Sequence, residues 1–407
     1  MLPEGWREVA LEDLAIVERG RFSARPRNDP KFYNGRTPFV QTGDISSSGT
    51  YLEKYSQSLN DEGVKVSKIF HKGTILLTIA ANIGDSTIIK FDVACPDSIV
   101  GIQCYREKSN NVWLKFKIDT IKKNLDNDAG KNAQKNINLQ LLKPLKILTP
   151  PLLEQEKIAA VLSTWDKAII TTDALLANSR QQKKSLMQQL LTGKRRLPGF
   201  TGEWKNCQIR DIFSILSNTP LSRAEMEDSG EVEYVHYGDI HKISASYLDF
   251  AQDYKGKISS NKVKSDFLED GDLLVVDASE DFEGIGKAVE VKNLQGKKAV
   301  AGLHIILARP NKILLAKGYA GKIQFIPSVK KQFISLATGI SVFGLSKTNF
   351  LSVSVFIPPL EEQRAIASVL DAADREIVLL EQKAARLREE KKALMQQLLT
   401  GKRRVRL

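Results

Sequence analysis

The sequence has few of the residues on which metal and disulfide chemistry depend. Its 407 residues include three cysteines and four histidines. Cys95, Cys104 and Cys207 show neither CxxC nor Cys/His ligand spacing, so we expect ordinary thiols, no disulfide framework and no zinc site. His71, His241 and His304 have no evident acidic or cysteine partner in the sequence and are interpreted as structural.

Long hydrophobic runs are also missing. The longest candidate, GTILLTIAANIG at 73–84, is shorter than the roughly 18 to 20 residues that a membrane span needs and is interpreted as a buried strand. The N-terminus has no charged-then-apolar signal. We therefore expect a cytoplasmic location and no membrane partner.

Familiar catalytic motifs are absent as well. No GxxxxGK[ST] phosphate loop occurs, no GxGxxG follows a strand, and no Asn/Asp-Pro-Pro-aromatic tetrad of an amino-methyltransferase is present. One loop, VVDASEDFEGIGK, loosely resembles a nuclease carboxylate cluster, although carboxylates in a glycine-bearing loop are usually solvated. Its charged residues are Asp277, Glu280, Asp281, Glu283 and Lys287.

Positive charge is in excess. Sixty Lys and Arg against 48 Asp and Glu give a net charge of +12, which favours a polyanionic partner. Residues 198–357 contain 19 basic and 19 acidic residues, so that segment needs a local basic patch to bind nucleic acid.

One stretch occurs twice. Residues 150–196 and 358–404 align without insertion at an offset of 208, and 26 of these 47 positions are identical, including the ends KKSLMQQLLTGKRR and KKALMQQLLTGKRR. Proline pairs begin both copies, and Gly193 and Gly401 stand where helix C-caps belong.

A heptad-like seam runs through each copy and predicts a two-helix coiled coil. The first copy contributes Ile158, Leu162, Trp165, Ile169, Thr172, Leu176, Ser179, Lys183, Leu186 and Leu190, and the second contributes Ile366, Leu370, Ala373, Ile377, Leu380, Ala384, Leu387, Lys391, Leu394 and Leu398. Because a compact domain's termini tend to lie close together, the intervening segment predicts antiparallel helices with one domain at each end.

The remaining segments share a framework. FVQTGDI corresponds to YVHYGDI, KGTILL to DGDLLV, and Trp6 to Trp204. Short β-branched runs with turn residues and occasional helical spacing predict an α+β fold with two pseudo-repeated mixed α/β domains. The predicted boundaries are 1–150 for the first domain, 151–197 for the first helix, 198–357 for the second domain and 358–407 for the second helix.

Basic, amide and aromatic residues in the loops are candidates for DNA contacts, because cations neutralise phosphates and amides hydrogen-bond adenine. A solvated basic loop is the alternative. The candidates are Arg21, Arg25, Arg27, Arg36, Gln41, Lys131, Asn132, Gln134 and Lys135 in the first domain, and Arg223, His236, Tyr237, Lys242, Ser341 and Lys347 in the second. The KRR clusters at 194–196 and 402–404 either complement helix dipoles or contact DNA or another subunit.

Two variable domains, each followed by a PPLxEQ helix ending in LMQQLLTGKRR, resemble the specificity subunit of a type I restriction-modification system along the whole chain. The resemblance implies a non-catalytic reader of double-stranded DNA, with one target-recognition domain for each half of a bipartite, asymmetric site. It implies that the helices set the spacer and dock two modification (methyltransferase) subunits. We predict that outward apolar residues of the helices, such as Val161, Leu175 and Leu191, help to hold these subunits.

It further implies that the chain has no cofactor of its own. S-adenosylmethionine, ATP and magnesium would belong to the adenine-methylating modification subunits and to the restriction subunits that form the translocating nuclease. The competing classes are a stand-alone enzyme and a pure coiled-coil scaffold.

Overall fold

The computed structural model describes residues 3–129, 136–243, 245–252 and 256–406. The chain divides into two compact units. The first unit comprises Met1–Asp173 with Gln382–Leu407, and the second comprises Ala174–Glu381. Each unit therefore contains one α+β domain and a part of each repeated helix. The predicted α+β class with two repeated domains is confirmed, while the predicted domain boundaries stay predictions.

The first domain contains short strands and five α-helices among its described residues. Its strands are β1 (Arg7–Ala10), β2 (Ala15–Arg19), β3 (Tyr33–Phe39), β4 (Tyr51–Leu52), β5 (Gln57–Leu59), β6 (Lys68–Phe70), β7 (Ile75–Thr78), β8 (Ser86–Ile89), β9 (Val93–Cys95), β10 (Ile99–Cys104) and β11 (Lys146–Thr149). Its helices are α1 (Leu11–Leu14), α2 (Thr42–Ser46), α3 (Asp61–Lys65), α4 (Asn111–Ala129) and α5 (Leu139–Leu142), and a 3-10 turn spans Pro30–Phe32.

The second domain follows the first repeated helix, α6 (Leu152–Leu190), and precedes the second, α11 (Leu360–Leu398). Its strands are β12 (Lys205–Gln208), β13 (Phe213–Leu216), β14 (Val232–Val235), β15 (Tyr247–Asp249), β16 (Lys257–Ile258), β17 (Leu273–Val276), β18 (Ala278–Ser279), β19 (Ala288–Lys292), β20 (Ala299–Ala301), β21 (Ile305–Pro310), β22 (Phe343–Gly344) and β23 (Ser354–Ile357). Its helices are α7 (Ile209–Ile212), α8 (Tyr237–Ile240), α9 (Pro327–Leu336) and α10 (Lys347–Ser352), with 3-10 turns at Arg223–Glu225, Ser260–Lys262 and Ala320–Phe325.

The five-stranded sheets of the two domains share one topology. The five-stranded sheet of the first domain has the order β2-β10-β7-β8-β4, and that of the second has the order β13-β21-β17-β19-β15. In both sheets the last pair is parallel, whereas the other pairs are antiparallel. A second sheet in each domain also contains one parallel pair, β3 with β9 and β14 with β20.

Apolar residues cover both faces of each five-stranded sheet. In β7, Ile75 and Leu77 belong to the core that contains Trp113, whereas Leu76 faces a second core. In β17, Leu273 alternates with Leu274 between two cores in the same way. Because successive strand side chains point to opposite faces, the continuous apolar runs seen in the sequence are explained by two-sided burial.

The repeated helices contact each other within each unit through equivalent ion pairs. In the first unit, Lys391 pairs with Asp166 and Arg388 with Asp173. In the second unit, Lys183 pairs with Asp374 and Arg180 with Glu381, which are the same positions at an offset of 208. As the residue number rises along one helix, the residue number of its partner in the other helix falls. The helix segments in each unit are therefore antiparallel. All of the proposed seam residues are buried or half-buried.

Both helices begin and end alike. At the start, Gln155 donates to the carbonyl of Pro150, and Gln363 donates to that of Pro358. At the end, Gly193 and Gly401 have φ values of +69° and +73°, the left-handed conformation typical of a helix C-cap glycine. Among the described residues, no helix is both long and apolar enough to cross a membrane.

Candidate DNA interface

An aromatic cluster supports the basic loop between β2 and β3. The Phe22 ring lies 4.9 Å from that of Phe39, 5.9 Å from that of Tyr33 and 6.0 Å from that of Phe32. Phe22 and Phe39 are buried, and Phe22 forms a β-bridge with Ser67. The loop is therefore anchored to the sheet by its apolar residues, while the arginines between them stay on the surface.

The four predicted arginines of this loop and of β3 have different environments, although all are exposed. Arg25 donates to the carbonyl of Ala24 at 2.7 Å, and Arg21 donates to that of Ser67 at 3.4 Å. The Nη2 atom of Arg27 lies 2.8 and 3.0 Å from the carboxylate oxygens of Asp97. Within the part of the chain that the structure describes, Arg36 forms no ion pair, so its guanidinium is available to a phosphate.

Gln41 lies at the edge of a surface cleft. It precedes α2, where its backbone N–H donates to Asp44, and its side-chain amide donates to Gln57 at 3.1 Å. The cleft has a volume of about 580 Å³ and is lined by Phe22, Arg27, Tyr33, Gln41 and Gln57, among others. An aromatic floor with amides and a guanidinium at the rim can contact a base edge and a phosphate together. Gln57 is a member that no sequence pattern indicated.

The other four first-domain candidates, Lys131, Asn132, Gln134 and Lys135, lie outside the described residues.

The second domain places four of its candidates around α8. His236 is the N-cap residue of this helix, and its Nδ1 atom accepts from the backbone N–H of Gly238 at 3.1 Å. Arg223 lies 3.1 Å from the same ring nitrogen and 2.8 Å from the carboxylate of Asp239. Burial and, to a lesser degree, the nearby Arg223 charge lower the pKa of His236. The histidine is thus held neutral as a helix cap.

Tyr237 and Lys242 extend this group towards solvent. The Tyr237 ring lies 4.4 Å from that of His236 and 5.3 Å from that of His304. The Lys242 side chain is 75% exposed and lies 3.7 Å from Asp239. Together they offer an aromatic ring next to an exposed cation, which suits a nucleotide. Ser341 and Lys347 are also exposed, on the hairpin and the helix that follow α9.

Two of the three histidines interpreted as structural have acidic partners in the fold. His71 lies 2.9 Å from the carboxylate of Asp92, and His304 lies 3.1 Å from that of Asp277. Both partners are distant in sequence, which is why spacing did not reveal them. His241 stacks on Tyr237 edge to face.

The carboxylate loop is built as a turn. Asp281 accepts from the backbone N–H of Gly284 at 2.6 Å, and the ammonium of Lys287 donates to the carbonyl of His241 at 2.6 Å. No group of three or more His, Cys, Asp or Glu within the described residues is arranged to hold a metal ion. Burial raises the pKa of Cys95 well above its usual value and that of Cys104 to about 11, as expected of unreactive thiols.

The KRR clusters have a role that neither sequence interpretation covered. The guanidinium of Arg404 makes two hydrogen bonds, of 2.7 and 2.8 Å, to the buried carboxylate of Glu154, which also accepts from the indole of Trp6 at 3.1 Å. In the second unit, Arg196 and Trp204 bind the buried Glu362 in the same way. The last arginine of each cluster therefore ties one helix end to the start of the other helix.

Outward apolar residues on the helices fit the expectation only in part. Val161 and Leu175 are exposed, but Leu191 is completely buried. Leu191 is wrong as a docking residue because the C-terminal turn of α6 packs into the second unit's core, where Leu191 contributes beside Ile209 and Phe350.

Comparison with known proteins identifies the family to which this chain belongs. The family model of the type I restriction modification DNA specificity domain matches residues 3–178 and 201–389. The chain therefore belongs to the type I restriction-modification DNA specificity family, whose members are non-catalytic specificity subunits.

Individual members of this family are similar to this chain over nearly its whole length. A provisionally named MjaX specificity subunit and the MjaVIII specificity subunit, both from type I restriction enzymes of Methanocaldococcus jannaschii, are 24% and 23% identical to it. Both alignments cover 99% of this chain, and 95% and 94% of the relatives. The S subunit of a type I restriction-modification system from M. genitalium is similar in fold, with a TM-score of 0.61, 15% identity and coverage of 98% and 97% of the two chains. A second solved structure comes from work on complex assembly and conformational transition of the type I R-M system. It matches this chain with a TM-score of 0.58 and 17% identity, and the alignment covers 98% of this chain and 99% of that one.

Proposed function

We propose that the first and second domains read different halves of one bipartite, asymmetric site in double-stranded DNA, and that α6 and α11 set the distance between the halves. The observation that carries this proposal is a repeated framework with unlike surface residues. The domains share a sheet topology, yet Thr42 of the first corresponds to Tyr237 of the second, and Gln41 corresponds to His236. Equal scaffolds with unequal contact residues suit unequal half-sites at a fixed separation.

The repeated helices are proposed to dock two modification subunits in equivalent ways. Supporting this, the ion pairs and buried carboxylates that hold the helices recur at an offset of 208, so both helices are fixed by equivalent internal contacts. Restriction subunits join the same complex in this proposal. S-adenosylmethionine, ATP and magnesium belong to those partner chains, and this chain binds no cofactor.

Adenine methylation mapping tests the proposal. The chain is expressed with the modification subunit of its own system in cells that lack other adenine methylation, and the genome is read by long-read sequencing. We expect one motif of two different half-sites with a constant spacer, present only when both subunits are expressed. Methylation by this chain alone would favour a stand-alone enzyme instead.

Variants in a single domain test which half-site each domain reads. Arg36→Ala with Gln41→Ala in the first domain should relax one half-site, and Tyr237→Ala with Lys242→Ala in the second should relax the other. The two double variants serve as controls for each other. An unchanged motif in both, with the complex assembled, would favour a scaffold that does not read DNA.

A further inference from the structure

A short hairpin in the second domain presents apolar side chains to solvent. The apolar hairpin, residues 338–344, is closed by two backbone hydrogen bonds between Thr338 and Gly344, of 3.0 and 2.7 Å. Gly339 has a φ of +128°, and a Cβ added there would lie 1.9 Å from the carbonyl oxygen of Val342, so the turn requires glycine. Ile340 at its tip is 96% exposed, and Val342 is 54% exposed.

The apolar surface continues beyond the tip. Phe282 is 47% exposed and stacks on Phe343 with ring centroids 4.0 Å apart. A tight, glycine-dependent turn that holds Ile340 almost fully in water, beside a half-exposed Val342 and the stacked rings of Phe282 and Phe343, is typical of a contact surface.

Backbone and side-chain contacts fix the hairpin beside the candidate DNA-binding residues of α8. Phe343 and Gly344 pair with Ser279 and Ala278, and the N–H of Leu345 donates to the carbonyl of Asp277 at 2.7 Å. The Asp277 carboxylate contacts His304, whose ring lies against Tyr237. The hairpin and Tyr237 are therefore linked by a short chain of direct contacts within one domain.

In the sequence, the hairpin aligns with a segment of the first domain that contains amide residues. Asn138 caps α5 and Ser346 caps α10, and these residues are 208 apart. The N–H of Ile137 donates to Ile79 just as that of Leu345 donates to Asp277. The same offset in the sequence aligns Asn132 with Ile340, and Gln134 with Val342.

The chemistry of these residue types points to different bases. Amide side chains pair with adenine in the major groove, whereas apolar side chains contact the C5-methyl group of thymine, and the groove admits a two-stranded ribbon. We propose that Ile340 reads the methyl group of a thymine in the half-site bound by the second domain. This inference rests on the proposed function, and it names thymine as one of the bases that the second domain recognises. DNA is favoured over a protein partner because two exposed cations flank these contacts in the chain: Lys242 follows α8, which carries Tyr237, and Lys347 follows the hairpin at the start of α10.

Deoxyuridine substitution isolates the methyl group, since deoxyuridine keeps the hydrogen-bonding edge of thymidine and lacks only that group. The site found by methylation mapping is made as a set of duplexes, each with one thymine replaced, and binding by the complex with its modification subunits is measured at constant salt. We expect one replacement to weaken binding about fourfold, the equivalent of about 0.8 kcal/mol for a buried methyl. That replacement should have no effect on the Ile340→Ser complex, and its effect should persist in Ile340→Val.

Ile313→Ser is the matched control, because Ile313 is 82% exposed in the same domain and lies outside the hairpin. Its complex should keep the full deoxyuridine effect. The inference is overturned if no thymine shows the effect, or if the effect survives in Ile340→Ser. It is also overturned if Ile340→Ser loses modification subunits while keeping its sequence preference, which would assign the hairpin to a protein partner. Failure of the proposed function looks different, since the wild-type chain would then give no bipartite motif.

Discussion

At the scale of single residues, two buried carboxylates organise the helix starts. Glu154 and Glu362 are each held by one indole N–H and one guanidinium, and both are completely buried. A buried charge is tolerated only when it is paired and hydrogen-bonded, so each donor around it carries a measurable share of the stability.

Trp6→Phe tests this share, because the change keeps an aromatic ring and removes the N–H that binds Glu154. A hydrogen bond to a charged group contributes about 1.5–3 kcal/mol, so the free energy of unfolding of the first unit should fall by about that amount. Trp113→Phe is the control. Trp113 is fully buried, and its N–H has no partner among the described residues, so the loss there should be smaller. Equal losses in chemical denaturation would contradict the role of the Trp6 hydrogen bond.

His236 gives the second domain a pH dependence whose direction can be worked out. Its pKa in the folded chain is below the ordinary value of 6.5. As the pH falls through 6.5, His236 therefore takes up a proton more readily in the unfolded chain than in the folded chain, which favours unfolding. Stability is therefore complete above about pH 7 and is lost on acidification below pH 6.5. His236→Asn keeps a side chain that caps helices and removes the titration. Unfolding of both proteins at pH 8 and pH 5.5 should show a smaller loss in the variant, and parallel losses would refute the assignment.

At the scale of elements, the two identical TGKRR ends should respond differently to the same substitution. Gly193 and Gly401 both have left-handed backbone conformations, which cost a residue with a side chain about 1–2 kcal/mol. A Cβ at Gly401 would also lie 2.5 Å from Pro3 Cγ, whereas the nearest atom to one at Gly193 is 3.5 Å away, on Trp204. Gly401→Ala should therefore destabilise its unit more than Gly193→Ala destabilises the other. Thermal unfolding of the two variants, with Ala174→Gly in the helix as a propensity control, measures the difference.

The sequence predicted these elements where signals were local. The proline pairs, the glycine caps and the offset of 208 located both long helices, which begin at Leu152 and Leu360. Continuous apolar runs of strand length indicated the central strands β7 and β17, because both faces of their sheets are buried.

Contacts between residues distant in sequence could not be predicted in the same way. The ion pair of Arg27 with Asp97 and the pairing of His304 with Asp277 join separate loops, and no spacing rule connects them. Leu191 was misplaced because helical periodicity does not show where a helix end enters a core. The repeated match of Trp6 and Trp204 was visible in the sequence, but its reason, a buried glutamate on each repeated helix, needed the fold.

At the scale of the whole molecule, the chain combines a repeated framework with unlike loops, and the proposed function assigns the framework to protein partners and the loops to DNA. The features that recur at an offset of 208 are internal contacts of the helices, such as Asp166 with Lys391 and Asp374 with Lys183. The features that differ are exposed loop residues. In the proposed function, the constant internal contacts hold both helices alike for docking, while substitutions in the loops change the sequence that is read.

If the helices set the DNA spacer, their length should control it independently of the half-sites. Four residues inserted after Ala177 in α6 add about one turn, or roughly 6 Å at 1.5 Å per residue, which compares with about 3.4 Å per base pair. We expect methylation mapping to show both half-sites unchanged and a spacer longer by one or two whole base pairs. A control variant replaces the exposed Ala177, Asn178, Gln181 and Gln182 without insertion and should keep the original spacer. If the complex assembles and the inserted chain still methylates sites with the original spacer, the distance is set by the loops or by the partner subunits, and the helices serve only to hold the domains in one chain.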